Sequence, residues 1–374
     1  MDSTRNGKIT VLVGGQYGSE GKGAVAAHIA TKYDVHVRVG SHNAGHTFYW
    51  NGAKHVQQVI PCGWINPNAL IVIGRGAIVP VDGLIEEVEH IKKYYPNFLG
   101  RLVIDPEAGI LDKEYAATEG GKDGWFNRRI GSTGEGCGEA RVARIRRDPD
   151  VFTRFKDAFN DPRYEEKLRP FRSCLLEDTP QHLLSMKHNG ASILIEGTQG
   201  SDLSLLHSHW PYCTSIDTNA AGIIAEVGIS PLEVTDVLMV CRTYPIRVAG
   251  NSGPMAQEIT WEELSDRIGK NVVPEKTTVT QKVRRIAEWD DEQFDRAFTL
   301  NTPTSIAIMF ADYVDPSVAG KRGTLRLSEI GSNFVRWVDS KDSRILPRLD
   351  YVGTGPDSIV NVDKSGLSSS RWEG

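Results

Sequence analysis

Short apolar runs alternate along this chain with longer stretches in which hydrophobic residues recur every three or four positions. The first run, KITVLV (Lys8–Val13), is β-branched, and beyond a glycine-rich loop Val25, His28, Ile29 and Lys32 fall at helical spacing between Ala24 and Tyr33. Strand, loop and helix are expected in that order. Val35–Val39 and Leu70–Ile73 read as further strands, the latter bounded by Asn66-Pro67 and Gly74. Leu84, Ile85, Val88 and Ile91 share one side of a helix that Asp82 can cap and that runs to Tyr95. Leu102–Ile104, Ser192–Ile195 and Val237–Val240 are the remaining strand candidates, separated by segments long enough for helical crossovers. Any one of these runs could equally be a buried piece of helix. Their alternation predicts an α/β protein with a mainly parallel central sheet flanked by helices.

Two segments break the pattern. Residues 115–150 concentrate glycines, with an arginine-rich stretch from Arg128 to Arg147, and a second irregular stretch runs from Asn251 to Arg285, ending in KTTVTQKVRR. Long irregular segments inside a globular chain are more often functional than idle. No repeat or interdomain linker is evident, so one domain over residues 1–374 is expected, with residues 365–374 as a frayed tail.

Composition narrows the partners. The 374-residue chain, 40% hydrophobic and 24% charged, can bury a large core. Its net charge is −5 and no long block of like charge occurs, which points to small-molecule partners rather than nucleic acid. No run reaches the ~20 apolar residues of a membrane span, and the polar start MDSTRNGK has no apolar signal core. A soluble, cytoplasmic protein is expected, in the host cytoplasm if a phage encodes it. Cys62, Cys137, Cys174, Cys213 and Cys241 are scattered without a CxxC pair and read as reduced thiols rather than as a zinc site.

GGQYGSEGKG (Gly14–Gly23) has the makings of a phosphate seat: glycines that let backbone N–H groups approach an anion, a helix start behind them, and the mobile charge of Lys22. It is not a Walker A loop, because five residues separate Gly15 from Gly21 and Gly23 stands where Ser or Thr would hold Mg²⁺. A plain strand-to-helix turn stays open on spacing alone.

The spelling Gln16-Tyr17-Gly18-Ser19-Glu20-Gly21-Lys22-Gly23 is more specific, and it resembles the N-terminal signature of the adenylosuccinate synthetase family, ligases that join aspartate to C6 of IMP while consuming GTP. SHNAGHT (Ser41–Thr47) is similar to the family's histidine loop, IGSTGEGCG (Ile130–Gly138) to its IMP loop, and EGTQG (Glu196–Gly200) to the segment whose glutamine faces the base. WPYCTS (Trp210–Ser215) and GTGP (Gly353–Pro356) match in order as well. The resemblance implies a P-loop-NTPase-like fold, Mg²⁺, and two steps: a donor γ-phosphate activates O6 of the purine, then the aspartate amine displaces it at C6.

Carried over by motif, Lys22 sits on the donor phosphates, His46 is the general acid, and the Gly45 carbonyl faces Mg²⁺. Gly18, Glu20, Gly21, Gly23, Thr47, Asp312, Thr354, Gly355 and Pro356 fall on the donor side. Asn43, Ser132, Thr133, Gln199 and Thr214 hold the acceptor nucleotide, while Thr280, Lys282 and Arg284 hold aspartate. Arg144 matches the arginine that reaches a neighbouring subunit's nucleotide, implying a homodimer; one more solvated charge on a basic helix is the alternative.

Ser19 departs from the family, where an aspartate at this position accepts the N1 proton of IMP and ligates Mg²⁺. A serine is a poor base at neutral pH, but its shorter side chain leaves room beside C2 and can accept a hydrogen bond from the exocyclic amine of guanine. The chain thus looks most like the bacteriophage branch, which uses dGMP on the way to 2-aminoadenine DNA. Phe310 replaces the lysine of a Lys-x-Asp guanine grip, opening the donor site to ATP or dATP, and Lys282 replaces an arginine. The expected activity is ligation of L-aspartate to dGMP. An IMP- and GTP-using synthetase and a nucleotide-binding protein without catalysis are the alternatives.

Overall fold

Branched apolar side chains fill the strands of the central sheet because both of its faces are covered. The computed structural model describes residues 7–120, 124–276 and 282–365. In chain order the strands of this sheet are β1 (Ile9–Gly14), β2 (Val35–Arg38), β3 (Leu70–Ile73), β4 (Leu102–Ile104) and β5 (Ile193–Glu196). They continue with β6 (Asp236–Arg242), β7 (Ser305–Met309), β8 (Gly323–Arg326), β9 (Leu349–Gly355) and β10 (Ser358–Asp363). Their spatial order is β8-β10-β9-β7-β6-β1-β5-β2-β3-β4. Neighbours run parallel except β9 and β10, which form an antiparallel hairpin. Residues of β1 alternate between two cores: Leu12 packs with Val25, Ala26 and Ile71 on one face, Val11 and Val13 with Val37, Ile195 and Met239 on the other. Among the described residues no helix is long and apolar enough to cross a membrane.

Every run read as a strand is one: Leu70–Ile73 and Leu102–Ile104 match to the residue, and the others shift at their ends. The helix after the glycine loop differs more. Helix α1 spans Lys22–His28 and gives way to a short 3₁₀ turn, Ala30–Lys32, instead of continuing to Tyr33. Asn66 Nδ2 takes the carbonyls of Ala30 and Tyr33, and His36 Nε2 contacts that of Ala30, so these groups are satisfied from outside. Helix α2 (Val81–Lys92) has Pro80 rather than Asp82 at its N-cap; the Asp82 carboxylate pairs instead with Lys167 and Lys113. The two irregular segments also hold helices: Trp125–Ile130 and α3 (Cys137–Arg146) in the first, and Trp261–Ile268 in the second, where Thr260 and Glu263 make a capping box.

The loops that leave the C-terminal ends of β1, β2, β5, β6 and β7 converge on one side of the sheet, the usual place for a ligand in an open parallel sheet. An antiparallel hairpin, His46–Trp50 with Ala53–Gln57, projects from the loop after β2. Phe48 at its base is 1% exposed and meets His55 and Trp64 at ring distances of 5.3 and 6.2 Å. Ring contacts of this kind contribute about 0.5–1.5 kcal/mol each, and they fix the strand that starts with His46.

Candidate active site

A cavity of about 720 Å³ opens where these loops meet. The glycine loop forms its floor, with Gly18, Ser19 and Gly21 all at positive φ, 83°, 59° and 103°. Gly23, the second residue of α1, packs against the histidine loop: a Cβ there would stand 2.8 Å from His46 Cβ. That contact explains a glycine where a Walker loop carries a hydroxyl. Glu20 is fully buried beneath the loop, where Oε1 accepts the N–H groups of Gln16 and Gly18 at 3.1 and 2.8 Å and Oε2 pairs with Lys22 Nζ at 2.6 Å. Lys22 Nζ also donates to the Gln199 carbonyl. Ser19, by contrast, is exposed and lines the cavity.

His46 stands in the wall beside Lys22, in a buried network. Its Nδ1 lies 2.5 Å from Glu196 Oε1, which also accepts from Arg38 Nη1 at 2.6 Å. Arg38 Nη2 donates to the Ala44 carbonyl at 2.7 Å, and the Cys62 N–H donates to Glu196 Oε2 at 2.8 Å. With Nδ1 turned to the carboxylate, that nitrogen is assigned the proton and Nε2 is left for the cavity. Burial, and then the charge of Arg38, hold His46 down to about 4. Burial alone would raise Glu196, but the hydrogen bond to His46 and the charges of His46 and Arg38 outweigh it and hold the carboxyl down to about 2.

These shifts fix a sign for stability. The unfolded chain takes up protons at His46 near 6.5 and at Glu196 near 4.5, before the folded protein does at about 4 and about 2. Both groups therefore give full stability above the unfolded histidine value and lose it as pH falls from there. The melting temperature should fall as pH is lowered from 7 to 4, and a His46→Phe, Glu196→Gln double variant should show a flatter slope over that range. Parallel slopes in a thermal-shift series would contradict the assignment.

Asn43, Ser132, Thr133 and Gln199 share the cavity wall, as do Gly45, Thr47, Gly355 and Pro356. Ser132 is held in its loop by Gly134 N–H donating to Oγ at 3.2 Å and by Asn127 Nδ2 donating to its carbonyl at 2.6 Å. Lys282 and Arg284 line the cavity opposite, while Thr280 lies outside the described residues. Phe310 faces the cavity from a left-handed backbone position after β7.

Five expected residues do not reach the wall. Glu20 is committed beneath the loop, and Thr354 is buried in the β9–β10 hairpin, its Oγ1 donating to the Lys321 carbonyl at 2.6 Å. Thr214 is off the wall, its backbone N–H donating to the Leu203 carbonyl at 2.8 Å, and Asp312, two residues after Phe310, has a buried Oδ1 without a partner among the described residues. Arg144 points away, donating to the Arg75 carbonyl at 3.3 Å and lying over Phe152.

The sequence does not single out Arg38 and Glu196, nor Arg242 and Glu275, whose contacts are described below. Glu196 was visible as the first letter of EGTQG, and Arg38 as a lone charge ending an apolar strand. Glu119 was also missed; its carboxylate accepts the N–H groups of Gly136, Gly138 and Glu139 and so occupies the start of α3.

A family model described as adenylosuccinate synthetase matches residues 11–173 and 162–318. The adenylosuccinate synthetase of Methanococcus vannielii is 34% identical over 358 residues, covering 95% of this chain and 98% of that protein. That of Methanocaldococcus jannaschii is 34% identical over 357 residues, covering 95% and 96%. Among solved structures, the cyanophage S-2L succinoaminodeoxyadenylate synthetase (PurZ), bound to dGMP and to dATP as an energy donor, superposes with a TM-score of 0.76 at 28% identity over 96% of each chain. A fully ligated adenylosuccinate synthetase from Plasmodium falciparum gives 0.79 at 20% identity, covering 95% of this chain and all of that one, a likeness of fold.

Proposed function

The chain belongs to the adenylosuccinate synthetase family of carbon–nitrogen ligases, and on that premise we propose that it joins L-aspartate to C6 of dGMP, driven by cleavage of ATP or dATP. The observation that carries this reading is Ser19 in the cavity wall, a neutral side chain at the position where the family's usual aspartate would take the N1 proton of IMP. A hydroxyl can accept from the 2-amino group of guanine, which IMP lacks, and a carboxylate would crowd it. The S-2L relative, whose structure holds dGMP and dATP, supports the reading.

Within this proposal Lys22 rests on the donor phosphates and His46 donates from Nε2 to the oxygen on which charge develops. Burial keeps the imidazole neutral in the free protein, but nucleotide phosphates bring several negative charges to the same cavity and favour the imidazolium. Glu196 holds the ring at Nδ1 throughout, with Arg38 fixing the same carboxylate oxygen, so protonation at Nε2 is tied to loading. Asn43, Ser132, Thr133, Gln199 and, one layer behind, Thr214 position the purine nucleotide; Arg284, Lys282 and Thr280 hold the aspartate carboxylates. Glu20 acts through the loop that carries Lys22.

Mg²⁺ is the family's usual cofactor. The Ser19 hydroxyl and the Gly45 carbonyl, both in the wall, are oxygen donors suited to a hard cation that takes its other ligands from phosphate and water. When bound, it would neutralise phosphate charge. Val142 and Ile145 of α3 are 40% and 75% exposed, an apolar pair that supports placing this helix, which also carries Arg144, near a homodimer contact.

On the donor side, Phe310 lacks the charge of the family lysine that grips guanine. Phe310→Lys should lower the ratio of kcat/KM for ATP to that for GTP by about tenfold or more; an unchanged ratio in initial-rate assays would remove Phe310 from donor choice.

The archaeal relatives at 34% identity favour a second reading, an ordinary synthetase acting on IMP with GTP. Incubation with Mg²⁺, L-aspartate and ATP, with dGMP or IMP in parallel, separates the two. The dGMP reading requires phosphate release and a product heavier by the succinyl group with dGMP alone. Conversion of IMP alone would establish the second reading, and no release with either, under ATP, dATP or GTP, would leave a binding protein.

A further inference from the structure

Arg242 ends β6 and is fully buried, yet its guanidinium bonds three separate parts of the cavity wall. Nη1 donates to the Ser19 carbonyl at 3.2 Å, and Nη1 and Nη2 fork onto the Glu275 carboxylate at 3.3 and 2.5 Å. Its Cζ lies 3.8 Å from the centroid of the Phe310 ring, covering one face of it. The backbone is equally fixed, because the Gln16 side-chain amide accepts the Arg242 N–H at 2.9 Å and donates to its carbonyl at 3.1 Å.

Glu275 lines the cavity, and its carbonyl accepts the N–H of Arg284 at 2.8 Å. One step further, Lys276 and Val283 form an antiparallel bridge. Glu275 is therefore in the stem of the segment that carries Lys282 and Arg284. A guanidinium lying flat on an aromatic ring and forked on a carboxylate has its plane fixed, and it fixes both partners in turn.

We propose that the Arg242–Glu275 pair is a positioning strut that sets the stem of the aspartate-binding segment against the Phe310 ring and the backbone of Ser19, so that donor and aspartate tighten each other's binding. This rests on the reading of Phe310 as donor-side and Arg284 as aspartate-side. Coupling of this kind is reciprocal: what orders one end of the strut must favour the ligand at the other.

Glu275→Gln is the first test, because Glu275 is at the cavity rim and its amide replacement keeps the size. Arg242→Lys is the second, keeping the charge while losing the fork and the flat stack. In the wild type, KM for L-aspartate should fall as donor concentration rises. In Glu275→Gln it should be raised by about tenfold and become insensitive to donor, with kcat changed far less, and Arg242→Lys should move the same way. Wild-type KM and wild-type donor sensitivity in both variants would overturn the strut while leaving ligation intact. Absence of ligation in the wild type would overturn the functional reading itself.

Discussion

Replacing His46 with alanine should lower ligation by about 10²–10⁴-fold while nucleotide binding remains measurable, the loss typical of removing a positioned general acid. Binding should survive because the loops that would hold nucleotide are braced independently of the ring: Lys22 through Glu20 and Ser132 through Asn127. The truncation does not leave Glu196 unpaired, since its carboxylate keeps Arg38 and the Cys62 N–H as donors. The fold should therefore persist, and calorimetry with dGMP beside a phosphate-release assay separates binding from chemistry. Near-wild-type turnover would remove His46 from catalysis. Loss of binding together with turnover would make it a structural residue.

Ser19→Asp should exchange the acceptor rather than destroy the site. Ser19 has φ of 59°, a left-handed conformation that aspartate tolerates better than most residues, so the backbone can accept the change. Its carbonyl would stay bonded to Arg242. What changes is the cavity: a carboxylate is longer, charged, and able to take a proton that serine cannot. Turnover of dGMP should fall by about 10–100-fold and IMP conversion should become detectable by mass spectrometry of the nucleotide product. Undiminished dGMP turnover would show that the serine does not select the guanine acceptor.

The sequence by itself determined more of the sheet than of the site's chemistry. Runs such as LIVI (Leu70–Ile73) declare themselves because a parallel strand covered on both faces must be apolar at every position, a property of the local string. The glycine loop was legible as a contiguous phosphate seat, its Gly18 and Gly21 at positive φ, whereas the histidine loop and EGTQG stood out only through their resemblance to the family's segments. Strand β7, SIAIM (Ser305–Met309), is an apolar run of the same kind that went unread, whereas LDYVGTG and SIVNVD of the β9–β10 hairpin mix polar and apolar residues and do not declare themselves.

Only the tertiary structure decided what His46 touches. Glu196 is far from it in sequence, and the two meet because β2 and β5 pair in parallel with Arg38 opposite Glu196. Strand register brings that cation and that anion side by side, and the hairpin delivers the imidazole to both. Gly23 follows the same rule, its missing side chain explained by His46 packed against it. So does Arg242, set beside Met309 by the register of β6 and β7, one residue short of the Phe310 ring it covers. Each of these contacts joins distant segments, and a local pattern carries no record of the partner that long-range pairing supplies.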